Sequence, residues 1–379
     1  MANQRQSRFE KPSSYVDISM LFYVFILIVI GLIMIYSTTV YKSGFDEMRS
    51  QLVATGLGII VMIIASRVNL QKIPYLFPIL IFISAGSIFM LLTPLKMTLN
   101  NATRWFRLFG MSVQSAEIVK LCLIMMMAQW LTAKRESLKT LKGNIMAWAI
   151  PVGYSLLLGV ISNNLSSAFI IIAICGVMIV MISPYTKLYM LAGLGGVGLV
   201  SLLVLGIKYD LVHLGFRSNR VLVWLNPENP IAGVDNFQTV QALYAIGSGG
   251  LMGKGIGEGI QKINKIPEAQ NDMIFAVLCE ELGFVGAMIV IALFVCLIFR
   301  LINLAKKTGT LYSKLIVTGV TSHISIQAIL NIAVVTNTIP NTGVSLPFIS
   351  YGGSSVLCLL AEIGLVLNVT RGIGRNERN

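Results

Sequence analysis

Charged side chains are scarce in this chain. They make up 12% of the 379 residues, about half of the ~25% that is usual in soluble domains. Hydrophobic residues make up 55%, and the mean hydropathy is +0.79. A surface with so few charges cannot face water on all sides. The composition therefore excludes an ordinary soluble domain and indicates a membrane protein.

Cysteine and histidine are also sparse, and a common nucleotide-binding motif is absent. The two histidines, His213 and His323, are too far apart in sequence to predict a histidine metal site. The phosphate-binding pattern GxxxxGK[ST] does not occur, so nothing indicates ATP-driven work. The cysteines lie in apolar stretches without paired spacing, which argues against disulfides and thiolate metal sites; they are Cys122, Cys175, Cys279, Cys296 and Cys358.

Long apolar runs recur along the chain. Because crossing a bilayer takes about 20 apolar residues, we predict ten helices, at 18–37, 52–66, 73–92, 114–131, 144–161, 167–182, 188–207, 273–299, 315–336 and 352–369. Only helices and closed barrels satisfy their backbone groups in lipid. The predicted fold class is thus an all-α polytopic membrane protein with about ten transmembrane helices. We expect one membrane domain over residues 1–379, with a large extracytoplasmic loop at 208–271 between helices seven and eight.

The net charge of +13 indicates orientation in the membrane. If the N-terminus is cytoplasmic, the short inside segments hold far more lysine and arginine than the short outside loops. This asymmetry matches the positive-inside rule. We therefore predict a multi-pass protein with both termini in the cytoplasm and no nucleic-acid partner.

Three outside segments are long or rich in backbone-shaping residues: 93–113, 208–271 and 337–355. Loops as long as 208–271 are usually functional or disordered. The aromatic residues and glycine turns of this loop argue against disorder. Any chemistry is therefore expected on the outer face, where the three segments converge.

The stretch PEAQNDMIFAVLCEELGFVG (267–286) places three acids at and inside an apolar helix. Asp272 lies at the membrane boundary, where it could cap the helix or act on an outside substrate. Glu280 and Glu281 lie deeper and on other helix faces, so the three carboxylates are not predicted to form one cluster. Because an unpaired carboxylate in a membrane is costly, both glutamates should have partners in the bundle.

A second stretch, NNATRWFRLFGMSVQSAEIVK (100–120), combines cations with aromatic residues. Arg104 and Arg107 flank two aromatic side chains, a pattern that suits either an anionic headgroup or ordinary anchoring at the interface. Glu117 and Lys120 are three residues apart and share a helix face. They are interpreted either as a structural salt bridge or as part of a polar site.

The long loop adds further cations, Arg220 and Lys254, and two glutamines spaced for one helical face, Gln238 and Gln241. Its glycine-rich run GSGGLMGKGIGEG (247–259) is interpreted either as a flexible segment or as a backbone whose amides approach an oxyanion. Since the run follows no strand, it does not predict dinucleotide binding.

Two polar features lie nearer the C-terminus. His323, Gln327 and Asn331 recur every four residues, and such a stripe more often joins helices than binds a ligand. Around Ser350 and Tyr351, the sequence LPFISYGGSS predicts a re-entrant turn.

Four stretches, in order along nearly the whole chain, resemble the SEDS family (shape, elongation, division and sporulation). They are NATRWFRL…QSAEIVK, NRVLVWLNPENP…FQTVQALYAIGSGGLMGKGIG, PEAQNDMIFAVLCEELGFVG and IPNTGVSLPFISYGGSS. The first helix and PEAQNDMIFAV look closer to the division member, FtsW, than to the elongation member, RodA.

The resemblance implies a ten-helix fold and peptidoglycan glycosyltransferase activity, as an inverting polymerase. The implied substrate is lipid II, the undecaprenyl-pyrophosphate-linked disaccharide-peptide, at the outer face of the bacterial cytoplasmic membrane. The implied partners are a class B penicillin-binding protein, which is the transpeptidase, and other division or elongation proteins.

The resemblance also implies roles for residues. The family's essential acid falls on Asp272, which we predict as the catalytic residue, and its Glu and Lys match Glu117 and Lys120. The predicted substrate-binding set is Arg104, Arg107, Glu117, Lys120, Arg220, Gln238, Gln241, Lys254, Ser350 and Tyr351. No protein metal site and no certain cofactor are predicted, although a divalent cation, Mg²⁺ or Mn²⁺, could help to hold the diphosphate.

Two motifs depart from the family pattern. The family often has Gln-Pro-Ser-Glu where this chain has QSAE at 114–117, and Pro-Asp-Leu-Gly-Thr where it has NNLSS at 163–167. Asn164 cannot act as a base, so no acid–base role is assigned to it.

Two other functions are open at the level of sequence. A lipid II flippase would use Glu117, Lys120, Glu280 and Glu281 as a polar path, although the sequence shows no paired broken helices of the kind common in transporters. A non-catalytic scaffold would use the polar loops to recruit the crosslinking enzyme. A reconstituted polymerisation assay distinguishes the three functions.

Overall fold

The computed structural model describes residues 16–68, 76–99, 102–108, 110–228, 236–263 and 266–376. Helices dominate this part of the chain: α1 (Ile18–Ser43), α2 (Asp46–Ala65), α3 (Phe77–Phe89), α4 (Ser115–Ala133), α5 (Leu141–Ala147), α6 (Ala149–Ile161), α7 (Leu165–Val180), α8 (Thr186–Lys208), α9 (Phe216–Leu225), α10 (Phe237–Ser248), α11 (Ile274–Lys307), α12 (Leu311–Val335) and α13 (Gly353–Asn376).

Eight spans among these helices are long and apolar enough to cross a membrane, with α5 and α6 together forming one of them. Two shorter apolar helices, Phe77–Leu92 and Leu165–Val180, lie where the third and sixth spans were predicted. The predicted class, a multi-pass helical membrane protein, is confirmed. The count of ten spans stays a prediction. Both termini, 1–15 and 377–379, lie outside the described residues, so their cytoplasmic location also stays a prediction.

Segment 93–113, interpreted above as a loop, contains a small antiparallel sheet. Its strands are β1 (Lys96–Leu99), β2 (Ala102–Leu108) and β3 (Met111–Gln114), in the order β1-β2-β3. Gly110, with φ 80°, lies in the turn between β2 and β3. The sequence did not predict these strands, because their cations and aromatics do not alternate cleanly with apolar residues. β3 runs directly into α4 and so fixes where that helix begins.

The helices pack into a bundle whose interior is filled by aliphatic and methionine side chains. α13 packs along α2, α11 packs against α12 and α1, and α4 contacts α3, α7 and α12. α8 differs from the rest: of its residues only Ile207 is buried, and it packs chiefly against α9.

Side chains that cap helix starts fix several boundaries. Asp17 accepts from the backbone N–H of Met20 at the start of α1. Asn164, the residue that stands in place of the family's aspartate, accepts from the N–H of Ser167 at the start of α7, at 3.1 Å. This contact gives Asn164 a structural role and is in line with assigning it no proton-transfer role.

α11 is two helices joined at a break. Gly283 has φ 69° and ψ −171°, outside the helical range. The helix predicted at 273–299 is present as α11, but the sequence did not predict its interruption at Gly283. The break leaves a half-helix at 274–282, whose first residue, Ile274, lies two positions after Asp272.

Candidate functional site

Asp272 lies at the start of α11 without capping it. The cap position is occupied by Met273, whose side chain makes no capping hydrogen bond. The Asp272 carbonyl oxygen accepts from Asn331 Nδ2 of α12 at 2.8 Å. Its Oδ1 is buried and has no hydrogen-bond partner in the described part of the chain. The capping role considered for Asp272 is therefore not realised, and its carboxylate is left available for another proton or cation.

Two arginines from different loops approach this carboxylate. A Cβ built on Gly343 would lie 3.6 Å from Asp272 Oδ2 and 3.8 Å from Arg104 Nη1, so all three groups meet within a small space. Arg220 of α9 also acts electrostatically on Asp272. Arg104 belongs to 93–113, Arg220 to 208–271 and Gly343 to 337–355. The predicted convergence of these three segments is confirmed.

Burial raises the pKa of Asp272 to about 6. The charge of Glu268 also raises the pKa of Asp272. A hydrogen bond between the Asp272 carboxylate and the Asp272 backbone lowers this pKa, as do the charges of Arg220 and Arg104. Burial also lowers the pKa of Arg104, and Arg220 lowers it further, while Asp272 raises it. An arginine stays protonated despite such a shift. The site therefore combines a carboxylate that titrates near neutral pH with permanent positive charge.

Asn341 and Gln238 support the loop that faces Asp272. Arg220 Nη1 donates to the Asn341 carbonyl oxygen at 3.0 Å. Asn341 Nδ2 donates to Gln238 Oε1 at 3.3 Å, and Asn341 Oδ1 accepts from the N–H of Gly343 at 3.0 Å. Gln238 thus lies at the edge of the site. Gln241, half-buried, lies one turn further along α10.

Glu117 and Lys120 form a buried ion pair in α4 at 2.7 Å. Lys120 Nζ also donates to Gln327 Oε1 at 2.9 Å, and His323 Nε2 lies 2.7 Å from the same oxygen. On its other side His323 meets Glu362 of α13, at 2.9 Å. This network joins α4, α12 and α13 through hydrogen bonds.

The network reaches the loop next to Asp272 through α12. Gln327 Nε2 donates to Ser345 O and Oγ, both at 3.1 Å. Asn331 Nδ2 donates to Val344 O at 2.7 Å as well as to Asp272 O. The polar stripe on α12, predicted to join helices, does so and also holds the two segments that line the site. The spacing showed the stripe, but only the fold shows that it ends at Asp272. Asn341, which no sequence pattern singled out, has the same kind of role.

The other predicted binding residues lie in different surroundings. Arg107 is exposed and, three residues from Arg104 on β2, falls on the opposite face of the strand by the alternation of side chains. Lys254 Nζ pairs with Glu280 at 2.7 Å. Ser350 Oγ accepts from the N–H of Leu346 within its own turn at 2.7 Å. Burial and the nearby Glu47 raise the pKa of Tyr351. Binding roles for these four residues stay predictions, and their contacts do not join them to the Asp272 carboxylate.

No group of three His, Cys, Asp or Glu that could hold a metal ion occurs among the described residues. Mg²⁺ is often held by only one or two carboxylates together with substrate phosphates. The unpaired Oδ1 of Asp272 would suit such a shared ion, so a divalent cation stays a prediction that depends on bound substrate.

Fold and site together define a multi-pass helical membrane protein with a carboxylate and two arginines where its loops converge. Comparison with known proteins identifies the family. A family model described as cell cycle protein, and named for FtsW, RodA and SpoVE, matches residues 18–373. The chain belongs to this family, which confirms the resemblance to SEDS proteins described above.

Similar proteins include members from several bacteria. Stage V sporulation protein E of Bacillus subtilis is 33% identical over 364 residues, which cover 94% of this chain and 97% of that protein. A protein of Trichlorobacter lovleyi named "Probable peptidoglycan glycosyltransferase FtsW" is 30% identical over 370 residues, covering 94% and 93%.

Solved structures share the fold. A chain from work on the structural coordination of polymerization and crosslinking by a peptidoglycan synthase complex gives a TM-score of 0.74 at 25% identity, covering 94% of this chain and 98% of that one. A variant of the rod shape determining protein RodA of Thermus thermophilus gives a TM-score of 0.65 at 25% identity, covering 94% and 97%.

Proposed function

We propose that this protein is a peptidoglycan glycosyltransferase that polymerises lipid II into β-1,4 glycan strands at the outer face of the cytoplasmic membrane. The observation that carries the proposal is the position of Asp272, which has two arginines nearby and one carboxylate oxygen without a partner among the described residues. Relatives named as glycosyltransferases support the same reaction. The similarity to FtsW favours a role in cell division.

In the proposed reaction, Asp272 acts as a general base. It accepts the proton of the 4-hydroxyl of the acceptor's N-acetylglucosamine while that oxygen forms a bond to the anomeric carbon of the donor. The bond from the anomeric carbon to the pyrophosphate oxygen breaks, and the α configuration inverts to β. A base works best when its pKa lies near the working pH, and the pKa of Asp272 at about 6 meets this condition.

The arginines act on the leaving group. Pyrophosphate gains negative charge as the bond breaks, and fixed positive charge at that place lowers the barrier. Arg104 and Arg220 are the cations that act on Asp272, so they are assigned to the diphosphate. Since pyrophosphate leaves as an anion, no second acid is needed, in contrast to the acid pair of a glycoside hydrolase.

We propose a class B penicillin-binding protein as the partner that crosslinks the new strands. The support is the similar chain from a peptidoglycan synthase complex. A scaffold without its own chemistry would share this partner but would not need an available carboxylate between arginines.

The flippase alternative gains no support from the contacts. The polar path that it requires would join Glu117 and Lys120 to Glu280 and Glu281. Instead, Lys120 connects to Gln327, whereas the two deeper glutamates pair with Lys254 and Lys262. Described contacts do not link the two groups.

The deciding experiment uses the full-length protein with its partner in detergent and labelled lipid II. Glycan ladders from the wild type, and none from Asp272→Asn, support the proposal. Ladders of equal yield from both would show that Asp272 is not the base. Lipid movement across vesicles without any ladder from the wild type would favour the flippase.

A further inference from the structure

The glycine-rich segment 249–262, called the clasp here, lies directly against the break in α11. Lys254 N–H donates to Glu280 O and Gly255 N–H donates to Glu281 O, both at 3.0 Å. In the other direction, the N–H groups of Phe284 and Val285 donate to Gly250 O and Leu251 O, at 2.9 and 3.1 Å. The clasp therefore satisfies the backbone groups that the break at Gly283 leaves without helical partners.

The glycines of the clasp permit this close approach. A Cβ on Gly249 would lie 2.0 Å from Cys279 O, and one on Gly253 would lie 2.1 Å from Glu281 O. A Cβ on Gly259 would lie 3.0 Å from Glu281 Oε1. These contacts favour the second interpretation of the run, in which its amides approach an oxyanion. The oxyanions are carboxylates of this chain.

Each buried glutamate of α11 is matched by one lysine and by amides of the clasp. Glu280 pairs with Lys254 at 2.7 Å and accepts from the N–H groups of Ile260 and Gln261. Glu281 pairs with Lys262 at 2.6 Å, both side chains being fully buried, and accepts from the N–H of Gly257 at 3.1 Å.

The Lys262–Glu281 pair also reaches α1. Lys262 Nζ and Glu281 Oε1 both bond to the Ser37 hydroxyl, at 2.7 and 2.6 Å. The clasp is therefore joined through one buried polar group to two helices of the bundle. The sequence predicted partners for both glutamates. It did not predict that the partners would come mainly from the loop between α10 and α11.

The half-helix 274–282 is thus held at both ends. The clasp binds its C-terminal end, and Asn331 binds the carbonyl of Asp272 at its N-terminal end. Nine helical residues span about 13 Å, and Asp272 lies two residues before the first of them, so a shift of the half-helix at Glu281 would displace Asp272. We propose that Lys262 and Lys254 are positioning residues, which fix the half-helix through Glu281 and Glu280 and so place the Asp272 carboxylate. This inference rests on the proposed function for its effect on catalysis.

The test compares Lys262→Met with the double variant Lys262→Met/Glu281→Gln, using the full-length protein with its partner. Removing only the lysine leaves a buried carboxylate without its cation, whereas neutralising both groups removes that conflict. Lys139→Met is the matched control, because Lys139 pairs with Glu136 on an exposed surface.

Two readouts are measured on the same samples: hydrogen exchange of the amides of 274–282, and the pH profile, kcat and KM of polymerisation. We expect Lys262→Met to speed exchange at 274–282 by about 10-fold or more and to lower kcat by at least about 10-fold. KM should stay unchanged, and the acidic limb of the profile should move. The double variant should recover most of the protection, and the control should match the wild type.

If Lys262→Met does not fold, Lys254→Met replaces it, since the side chain of Lys254 is 28% exposed and its loss is milder. Wild-type exchange at 274–282 in a folded lysine variant would overturn the proposal, and so would an unchanged kcat and pH profile. If the wild type makes no glycan, the proposed function fails, while the exchange measurement still decides whether the clasp holds the half-helix.

Discussion

In the proposed mechanism, the charge of the Asp272 carboxylate destabilises the fold and is also needed for catalysis. Burial disfavours its charged form and raises its pKa to about 6, so the folded protein would be more stable without that charge. The Asp272 Oδ1 has no hydrogen-bond partner in the part of the chain that the structure describes, and a base needs such an oxygen in order to accept a proton. Glu281 differs, because both of its carboxylate oxygens accept hydrogen bonds.

Replacing Asp272 by asparagine tests the effect of its charge on activity separately from its effect on stability. The amide keeps the shape but cannot accept the proton, so we expect polymerisation to fall by about 10²–10⁴-fold, the usual contribution of a general base. The thermal stability of the variant in detergent at pH 8 should equal or exceed that of the wild type, because a buried charge is removed. Asp46→Asn, at an exposed position in the first turn of α2, is the control and should retain activity. A clear loss of stability in Asp272→Asn would contradict this account.

The activity of the wild type should depend on pH through the same group. The base must be ionised, so the polymerisation rate at low substrate concentration should fall as the pH drops through about 6. For an ordinary aspartate this fall would occur near pH 4. Initial rates of glycan formation from pH 5 to 8 measure this limb. An acidic limb near pH 4 would mean that Asp272 is not desolvated in the working enzyme.

Stability should change with pH in the opposite sense. The folded-state pKa of Asp272 lies above the ordinary aspartate value of 3.8, so the native state holds this proton more tightly than the unfolded chain does. The contribution of Asp272 to stability is therefore largest below about pH 4 and is lost as the pH rises to about 6. The difference in unfolding between wild type and Asp272→Asn over this range isolates the effect. A difference that does not change with pH would contradict it.

At the scale of elements, the broken helix α11 explains why an apolar helix carries two deep glutamates. They are the attachment points for the clasp, and their charges are matched by Lys254 and Lys262. Sequence reasoning predicted that these acids need partners, because an unpaired charge in a membrane is costly. It could not predict the break, since Gly283 looks like any other glycine in an apolar run.

Gly253 tests this arrangement. A Cβ there would lie 2.1 Å from Glu281 O, and its φ of 80° disfavours any side chain. We expect Gly253→Ala to destabilise the folded protein by about 1–3 kcal/mol, the usual cost of overpacking, measured by unfolding in detergent. Gly198→Ala in α8 is the control, because a Cβ added there would have no neighbouring atom within 4 Å. Equal stability of the two variants would show that the clasp is not tightly packed.

The three strands and the loop at 337–355 make long-range contacts that the sequence patterns of single elements do not predict. Arg104 was predicted from its aromatic neighbours, yet its direction depends on β2 pairing with β1 and β3. Asn341 has no periodic pattern around it, but its hydrogen bonds hold Arg220, Gln238 and Gly343 in one place. The contacts with Arg220 and Gln238 join residues more than 100 positions apart, so local propensity contains no information about them.

At the scale of the whole molecule, the prediction to test is the orientation of the helix bundle in the membrane. The distribution of lysine and arginine predicts that 93–113 faces outside and that the α4–α5 connection faces the cytoplasm. In a cysteine-free background, Ser112→Cys on β3 and Lys139→Cys, both at exposed positions, report on the two sides. A membrane-impermeant maleimide added to intact cells stripped of their wall should label only the first. Labelling of Lys139→Cys alone would show that the topology is the reverse of the predicted one. Asp272 would then face the cytoplasm, away from the outer face where the proposed reaction takes place.

By itself, the sequence determined the membrane class, most of the spanning helices and the family, and it singled out Asp272 as the candidate base. Each of these depends on composition, on apolar periodicity or on short contiguous motifs, which act locally along the chain. Only the tertiary structure decided that Arg104 and Arg220 meet this acid, that Lys254 and Lys262 are paired with buried glutamates, and that α11 is broken at Gly283. These facts depend on which distant segments share space, because charge compensation and close packing select partners by proximity in the folded bundle and not by spacing in the chain.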